Sequence, residues 1–198
     1  IASQATGKSK AYNLLNSEDV LSAIKCLKKL GTKISIKKNY CEIIGNGLNS
    51  FFLKKNLTLN AGNSGTLGRL ILGLLIHYPH KVKLIGDKSL SKRDFLRVIN
   101  PLKNFGANFY QSEKSSLPLY IQGTKYVRPI KYYENRGSAQ CKSSVMFAAL
   151  NTPGKTFIKA KKSRDHTEIL FKHLKIPIKI KKKKNFDLIE VEGKQNFL

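Results

Sequence analysis

Acidic side chains are scarce in this 198-residue sequence, where 12 Asp and Glu stand against 37 Lys and Arg for a formal charge of +25. Three explanations are open for that surplus. It can serve nucleic-acid phosphates, it can steer a small polyanion into a basic cleft, or it can reflect a Lys-, Asn- and Ile-rich composition of the kind AT-rich coding produces. Long apolar runs are also missing. The longest, Leu70 to Ile76, falls far short of the roughly 20 residues of a membrane span. No charged-then-apolar leader opens the chain. Cysteine is limited to Cys26, Cys41 and Cys141, an odd number without metal-type spacing. That argues against a disulfide framework and for reduced thiols in the cytoplasm. An initiator Met is absent, so Ile1 need not be the natural start. What remains, 41% hydrophobic and 25% charged, excludes a disordered basic tail and suffices for a real core.

The sequence repeats itself. Ser17-Glu18-Asp19 leads into VLSAIKCLKKLG, the strand TKISI, a turn and YCEIIG. Ser91-Lys92-Arg93-Asp94 leads into FLRVINPLKNFG, ANFYQ, a turn and LYIQG. Ser163-Arg164-Asp165-His166 leads into TEILFKHLK, IPIKI, the run Lys181-Lys182-Lys183-Lys184 and FDLIEVEG. The starts are 74 and 72 residues apart, and the hairpins end on Gly45, Gly123 and Gly193. Val20, Ile24, Leu27 and Leu30 share one helical face, and Leu96, Ile99, Leu102 and Phe105 repeat it. Gly31 and Gly106 stand where a helix C-terminus favours a left-handed residue. The lysine run is expected as a solvated hairpin turn.

Two later units also carry a front half. Ser64-Gly65-Thr66 opens LGRLILGLLIHY, followed by Pro79 and VKLIG; Ser138-Ala139-Gln140 opens CKSSVMFAALN, followed by Pro153-Gly154 and KTFIKA. These helices are apolar nearly all round and are expected inside. The predicted fold is α/β, a pseudo-threefold domain of β-α-β-α-β-β units, approximately 1–47, 48–123 and 124–198, with buried inner helices. The offset places the first inner helix start before Ile1, so the first unit is expected to be incomplete.

Helix starts offer unpaired N–H groups and a positive dipole end, which suit phosphate or carboxylate. Gly65 allows close approach to the backbone, and Arg93 can fork onto phosphate. Ser64 as a plain cap and Arg93 as a plain surface residue are the alternatives. His77 and His80 lack companion ligands for a metal. Asp165 beside His166 reads as a cap rather than a dyad, Cys141 as an inert core thiol, and Tyr132-Tyr133 as the only aromatic pair that could interest nucleic acid.

The stretch Asn60-Ala61-Gly62-Asn63-Ser64-Gly65-Thr66 with Arg69 resembles the first signature of the 5-enolpyruvylshikimate-3-phosphate synthases. Gly86 to Arg93 is similar to that family's second loop. Gly137 to Ser143 with Leu150 to Gly154, and Ser163 to Glu168, match as well, so the resemblance runs along essentially the whole chain. It implies an enolpyruvyl transferase-like fold of two such domains, an inside-out α/β barrel half in each. It also implies transfer of enolpyruvyl from phosphoenolpyruvate to the 5-hydroxyl of shikimate 3-phosphate, through a tetrahedral intermediate, on the way to aromatic amino acids. Gly65, Arg93 and Gln140 would bind phosphoenolpyruvate; Ser138, Ala139, Gln140 and Ser163 would bind shikimate 3-phosphate. Gly65 would tune sensitivity to glyphosate. No cofactor, metal, nucleic acid or membrane is implied, and the full-length enzyme would be monomeric. Leu67 and Asp94 depart from the pattern, and Asp94 is expected to compete for Arg93. The family's Lys-Ser-x-Ser-x-Arg start is expected just before Ile1. The second domain, with the acid/base Asp, Glu and Lys, is expected outside this sequence, so no turnover is expected from this chain alone. The alternatives are a UDP-N-acetylglucosamine enolpyruvyl transferase, whose loop Cys has no counterpart here, a basic RNA-binding module, and a non-catalytic scaffold.

Overall fold

Short polar caps and apolar periodicity set the helices in the computed structural model, which describes residues 1–111 and 116–194. Ser17 Oγ accepts from Val20 N at the head of α1 (Glu18–Lys29), Ser64 from Leu67 N at α2 (Gly65–Leu75), and Ser138 from Cys141 N at α4 (Ala139–Leu150). The remaining outer helices are α3 (Leu96–Asn104) and α5 (His166–His173).

Strands β1 (Thr6–Tyr12), β2 (Lys33–Ile36) and β3 (Tyr40–Asn46) form a sheet in the order β1-β3-β2. Strands β4 (Thr58–Asn60), β5 (Lys81–Ile85), β6 (Asn108–Gln111) and β7 (Leu119–Gln122) are ordered β4-β5-β7-β6. The third sheet repeats this with β8 (Lys131–Glu134), β9 (Gly154–Lys161), β11 (Phe186–Gly193) and β10 (Ile178–Lys182). β4–β5 and β8–β9 are parallel, joined across α2 and α4; all other pairs are antiparallel. The β-α-β-α-β-β unit is thus present, and no sheet closes into a barrel among the described residues. The expected turn of the second hairpin at 112–115 lies outside them.

The inner helices are buried as their composition requires: α4 from Cys141 to Leu150, and α2 at Gly65, Gly68 and Ile71 to Leu75. Residues 1–5 make a turn beside them, where Asn151 Nδ2 donates to Gln4 Oε1 at 3.2 Å. Each hairpin closes by laying a glycine on carbonyls of this centre. A Cβ on Gly45 would stand 2.2 Å from Ala5 O, on Gly123 2.4 Å from Ile76 O, and on Gly193 2.0 Å from Thr152 O. Just beyond, Gly47 N, Thr124 N and Lys194 N donate to Ala5 O, Ile76 O and Leu150 O, the last two being carbonyls that the ends of α2 and α4 leave orphaned.

The outer helices differ from their predicted faces. In α3, Leu96 is 41% exposed, while Phe95 and Val98 join Ile99, Leu102 and Phe105 in the core. Phe95 is the cause: its ring packs under Gly68 and under the Arg69 guanidinium, rotating Leu96 outward. In α1, Val20, Ile24 and Leu27 are half-buried, and Cys26, donating to Asn60 O, is fully buried with Leu30. The lysine run is only partly a turn. Strand β10 extends through Lys182, and the turn begins at Lys183, whose N donates to Phe186 O.

Outward-facing lysines lie over aromatic rings on all three sheets: Lys10 over Tyr40, Lys81 over Tyr110 and Tyr120, Lys159 over Tyr133 and Phe186. Their stems cover apolar surface while the ammonium stays wet.

Burial holds His77 neutral, with its pKa pushed down to about 4 and its Nε2 3.2 Å from Ala148 O. The unfolded ring takes a proton near pH 6.5, well before the folded one, so stability is full above that pH and falls as pH drops toward 4. The loss is expected to be on the order of 2 kcal/mol. Urea unfolding at pH 7 and 4.5 should show a smaller difference in His77→Gln than in the parent; an equal difference would refute the assignment.

Candidate anion-binding site

The heads of α2 and α4 lie side by side, and Gln140 joins them. Its Oε1 accepts from Arg69 Nη1 at 2.7 Å, and its Nε2 donates to Thr66 Oγ1 at 2.8 Å. Arg69 stands one turn below Gly65 on the same helical face, because residues four apart stack. It also donates to Asp94 O. Two guanidiniums flank Gly65: an added Cβ there would meet Arg93 Nη1 at 2.8 Å and Arg69 Nη1 at 3.1 Å. Burial lowers the Arg69 pKa from its ordinary value, and the neighbouring charges of Arg97 and Arg93 act the same way. Arginine stays protonated at such a site. The helix head therefore holds crowded like charges whose repulsion an anion would relieve.

The second loop is built to present Arg93. Asp87 N donates to Gly62 O, and Asp87 Oδ1 accepts from Leu90 N at 2.7 Å. A short 3₁₀ turn, Leu90–Lys92, then delivers Arg93, whose Nη2 donates to Asn63 Oδ1. Asp94 does not compete for that guanidinium as expected. Its Oδ1 accepts from Leu96 N, capping the entry to α3. Leu67, the other departure, packs half-buried against the core.

Beside the joined heads lies a cleft of about 230 Å³ lined by Thr66, Ala139, Gln140, Ser143, Arg164 and His166, among others. Ser138 caps α4, leaving its own O–H as a donor. Ser163 is outside the lining, but its Oγ is buried without a partner beside Arg164 in the chain. Of the expected residues, Gly65, Arg93 and Gln140 meet at the α2 head, and Ala139 and Gln140 meet at the cleft. Asp165 does not cap α5 with its side chain. Its carboxylate pairs with Lys182 at 3.2 Å, and that hydrogen bond holds it below the usual carboxylate range. Thr66 and Arg69 share the Asn60–Arg69 stretch with Gly65, and Ser163 and Arg164 hold in the third unit the place that Arg93 holds in the second. The i to i+4 step from Gly65 to Arg69 was the available signal.

Two βαβαββ units whose inner helix heads are joined by Gln140, with Arg69 and Arg93 flanking Gly65, define an α/β domain of the enolpyruvyl transferase-like kind. The whole chain, residues 1–198, matches the family described as EPSP synthase (3-phosphoshikimate 1-carboxyvinyltransferase). It is 44% identical over 174 residues to the 3-phosphoshikimate 1-carboxyvinyltransferase of Caldicellulosiruptor saccharolyticus, covering 87% of this chain and 40% of that protein. It is 40% identical over 193 residues to the Caldicellulosiruptor bescii protein of the same name, covering 96% and 44%. The solved EPSP synthase of Acinetobacter baumannii superposes on 100% of this chain and 44% of its own with a TM-score of 0.89 at 30% identity. The chain belongs to the EPSP synthase family, and it spans less than half the length of the relatives it matches.

Proposed function

We propose that the full-length protein transfers the enolpyruvyl group of phosphoenolpyruvate to the 5-hydroxyl of shikimate 3-phosphate, in the cytoplasm. One observation carries this reading: Gln140, which lines the cleft, ties the α4 head to Arg69, and Arg69 and Arg93 flank Gly65 at the α2 head beside it. In the reaction the 5-hydroxyl gives up its proton to a base as its oxygen bonds to C2 of phosphoenolpyruvate, while C3 gains a proton from an acid. The tetrahedral product then loses phosphate from C2 and the proton from C3, restoring the double bond. Arg69, Arg93 and the α2 amides suit the carboxylate and phosphate of phosphoenolpyruvate, whose charge shifts during addition. Ser138, Ala139, Arg164 and the buried Ser163 hydroxyl suit the 3-phosphate, with Gln140 between the two. These residues bind and orient; proton transfer falls to acid/base groups of the second domain that the family resemblance implies.

The test is phosphate release by the full-length protein. It should require both substrates and yield one phosphate per transfer. Release that does not depend on shikimate 3-phosphate would overturn the reading. In the same assay Gly65→Ala should raise the inhibition constant of glyphosate more than the KM of phosphoenolpyruvate, because the added methyl crowds Arg93 and Arg69 around the mimic. Equal changes would sink that placement of the two ligands.

A further inference from the structure

Behind the cleft, Lys142 and Glu168 form an ion pair between α4 and α5, with side chains only 1% and 3% exposed. Burying two charges is costly, and an apolar pair of similar volume would serve stability equally well or better. The pair therefore calls for a reason other than stability. Lys142 Nζ supplies one, because it also donates to Arg164 O at 3.1 Å. One turn of helix leads from the α4 head to this lysine, since Lys142 is four residues from the capping Ser138 and its N–H donates to Ser138 O. A second tie lies alongside, between Ser143 Oγ and Thr167 Oγ1 at 2.7 Å. The backbone pinned by Lys142 is that of the segment carrying the buried, unpartnered Ser163 hydroxyl and the cleft-lining Arg164.

We infer that Lys142 and Glu168 are positioning residues for the phosphate of shikimate 3-phosphate: the pair fixes the Ser163–Arg164 backbone against the head of α4, so that the Ser163 hydroxyl and the Arg164 guanidinium meet that phosphate already oriented. This rests on the reading of function above. Glu168 holds the ammonium in place, Lys142 holds the Arg164 carbonyl, and neither touches substrate. Ordering this segment in advance removes a cost that binding would otherwise bear.

The experiment uses the full-length protein, with shikimate 3-phosphate titrated by calorimetry. Lys142→Met/Glu168→Leu removes both charges together and so avoids stranding one. It is expected to melt cooperatively, to bind shikimate 3-phosphate about tenfold more weakly, and to keep kcat at saturation within about threefold of the parent. Ser163→Ala should weaken binding about fivefold in the parent and add almost nothing in the double variant, since the pair acts through that segment. A folded double variant that binds within about twofold of the parent, or a Ser163→Ala effect of equal size in both backgrounds, would overturn the inference. If the double variant does not fold, Glu168→Gln keeps shape and an acceptor for Lys142. It should bind about threefold more weakly with an unchanged KM for phosphoenolpyruvate, and unchanged binding would be equally decisive against the inference. A parent protein that fails to bind shikimate 3-phosphate would instead overturn the reading of function.

Discussion

Gly73→Ala is expected to destabilise the protein by at least about 3 kcal/mol, although alanine in a helix interior normally gains close to 1 kcal/mol over glycine. The added Cβ would stand 2.2 Å from Ser144 O, 3.0 Å from its carbonyl carbon and 3.1 Å from its Oγ. Two of these atoms are backbone of α4, so no side chain can swing aside. The helices must separate, which loosens the packing of Ile71 to Leu75 against Val145 and Ala148 in the most buried part of the core. Ser144 Oγ also donates to Arg69 O at 2.8 Å, so separation would move the helix heads and the Gln140–Arg69 bond as well. Gly68→Ala is the control. Its Cβ would make ordinary contact with the Phe95 ring at 3.4 Å, and it should change stability by less than about 1 kcal/mol. Urea unfolding decides both. A Gly73→Ala cost below about 1 kcal/mol would show that α2 and α4 are not locked at this point.

Arg69→Met is expected to lower kcat/KM of the full-length protein about a thousandfold while leaving it folded. The methionine keeps the stem over the Phe95 ring. It removes the charge beside Gly65, the donor to Gln140 Oε1 and the donor to Asp94 O. Gln140 would then be held only by its bond to Thr66 Oγ1, so the loss exceeds that of a single charge contact. Arg69→Lys should recover only part of the activity, because an ammonium cannot reach both acceptors in the planar fork geometry. Steady-state kinetics with each substrate varied would test this. A change of less than about tenfold in Arg69→Met would remove Arg69 from the anion seat.

The repeat was legible in the sequence because both of its signals are local. Polar caps such as Ser17, Ser64 and Ser138 start helices, and Gly31 and Gly106 end them with φ of +89° and +112°. In the third unit Lys175 takes the left-handed place at φ +54°, which no composition rule would single out. Gly65, Arg93 and Gln140 were legible through motifs. Their meeting was not, since Thr66 and Gln140 are 74 residues apart and only the packing of α2 on α4 brings them together. The role of Lys142 was hidden for the same reason. Within its helix it is one cation in an apolar stretch, and Glu168, 26 residues on, gives no local sign of being its partner. The exposure of Leu96 was misread because a neighbouring aromatic residue, Phe95, competed for the same core position and had Gly68 to receive it.

The lysines of strand β10 also bear on how copies of this protein meet. Strand β10 is the rim of its sheet, and Lys179, Lys181 and Lys182 stand exposed along it. A rim of unpaired amides and carbonyls is a template for another chain's strand. Two such rims approaching each other would bring ammonium against ammonium before any ladder bond could form. These three lysines of the +25 therefore work as a barrier to self-association at this rim, one that weakens as salt is added.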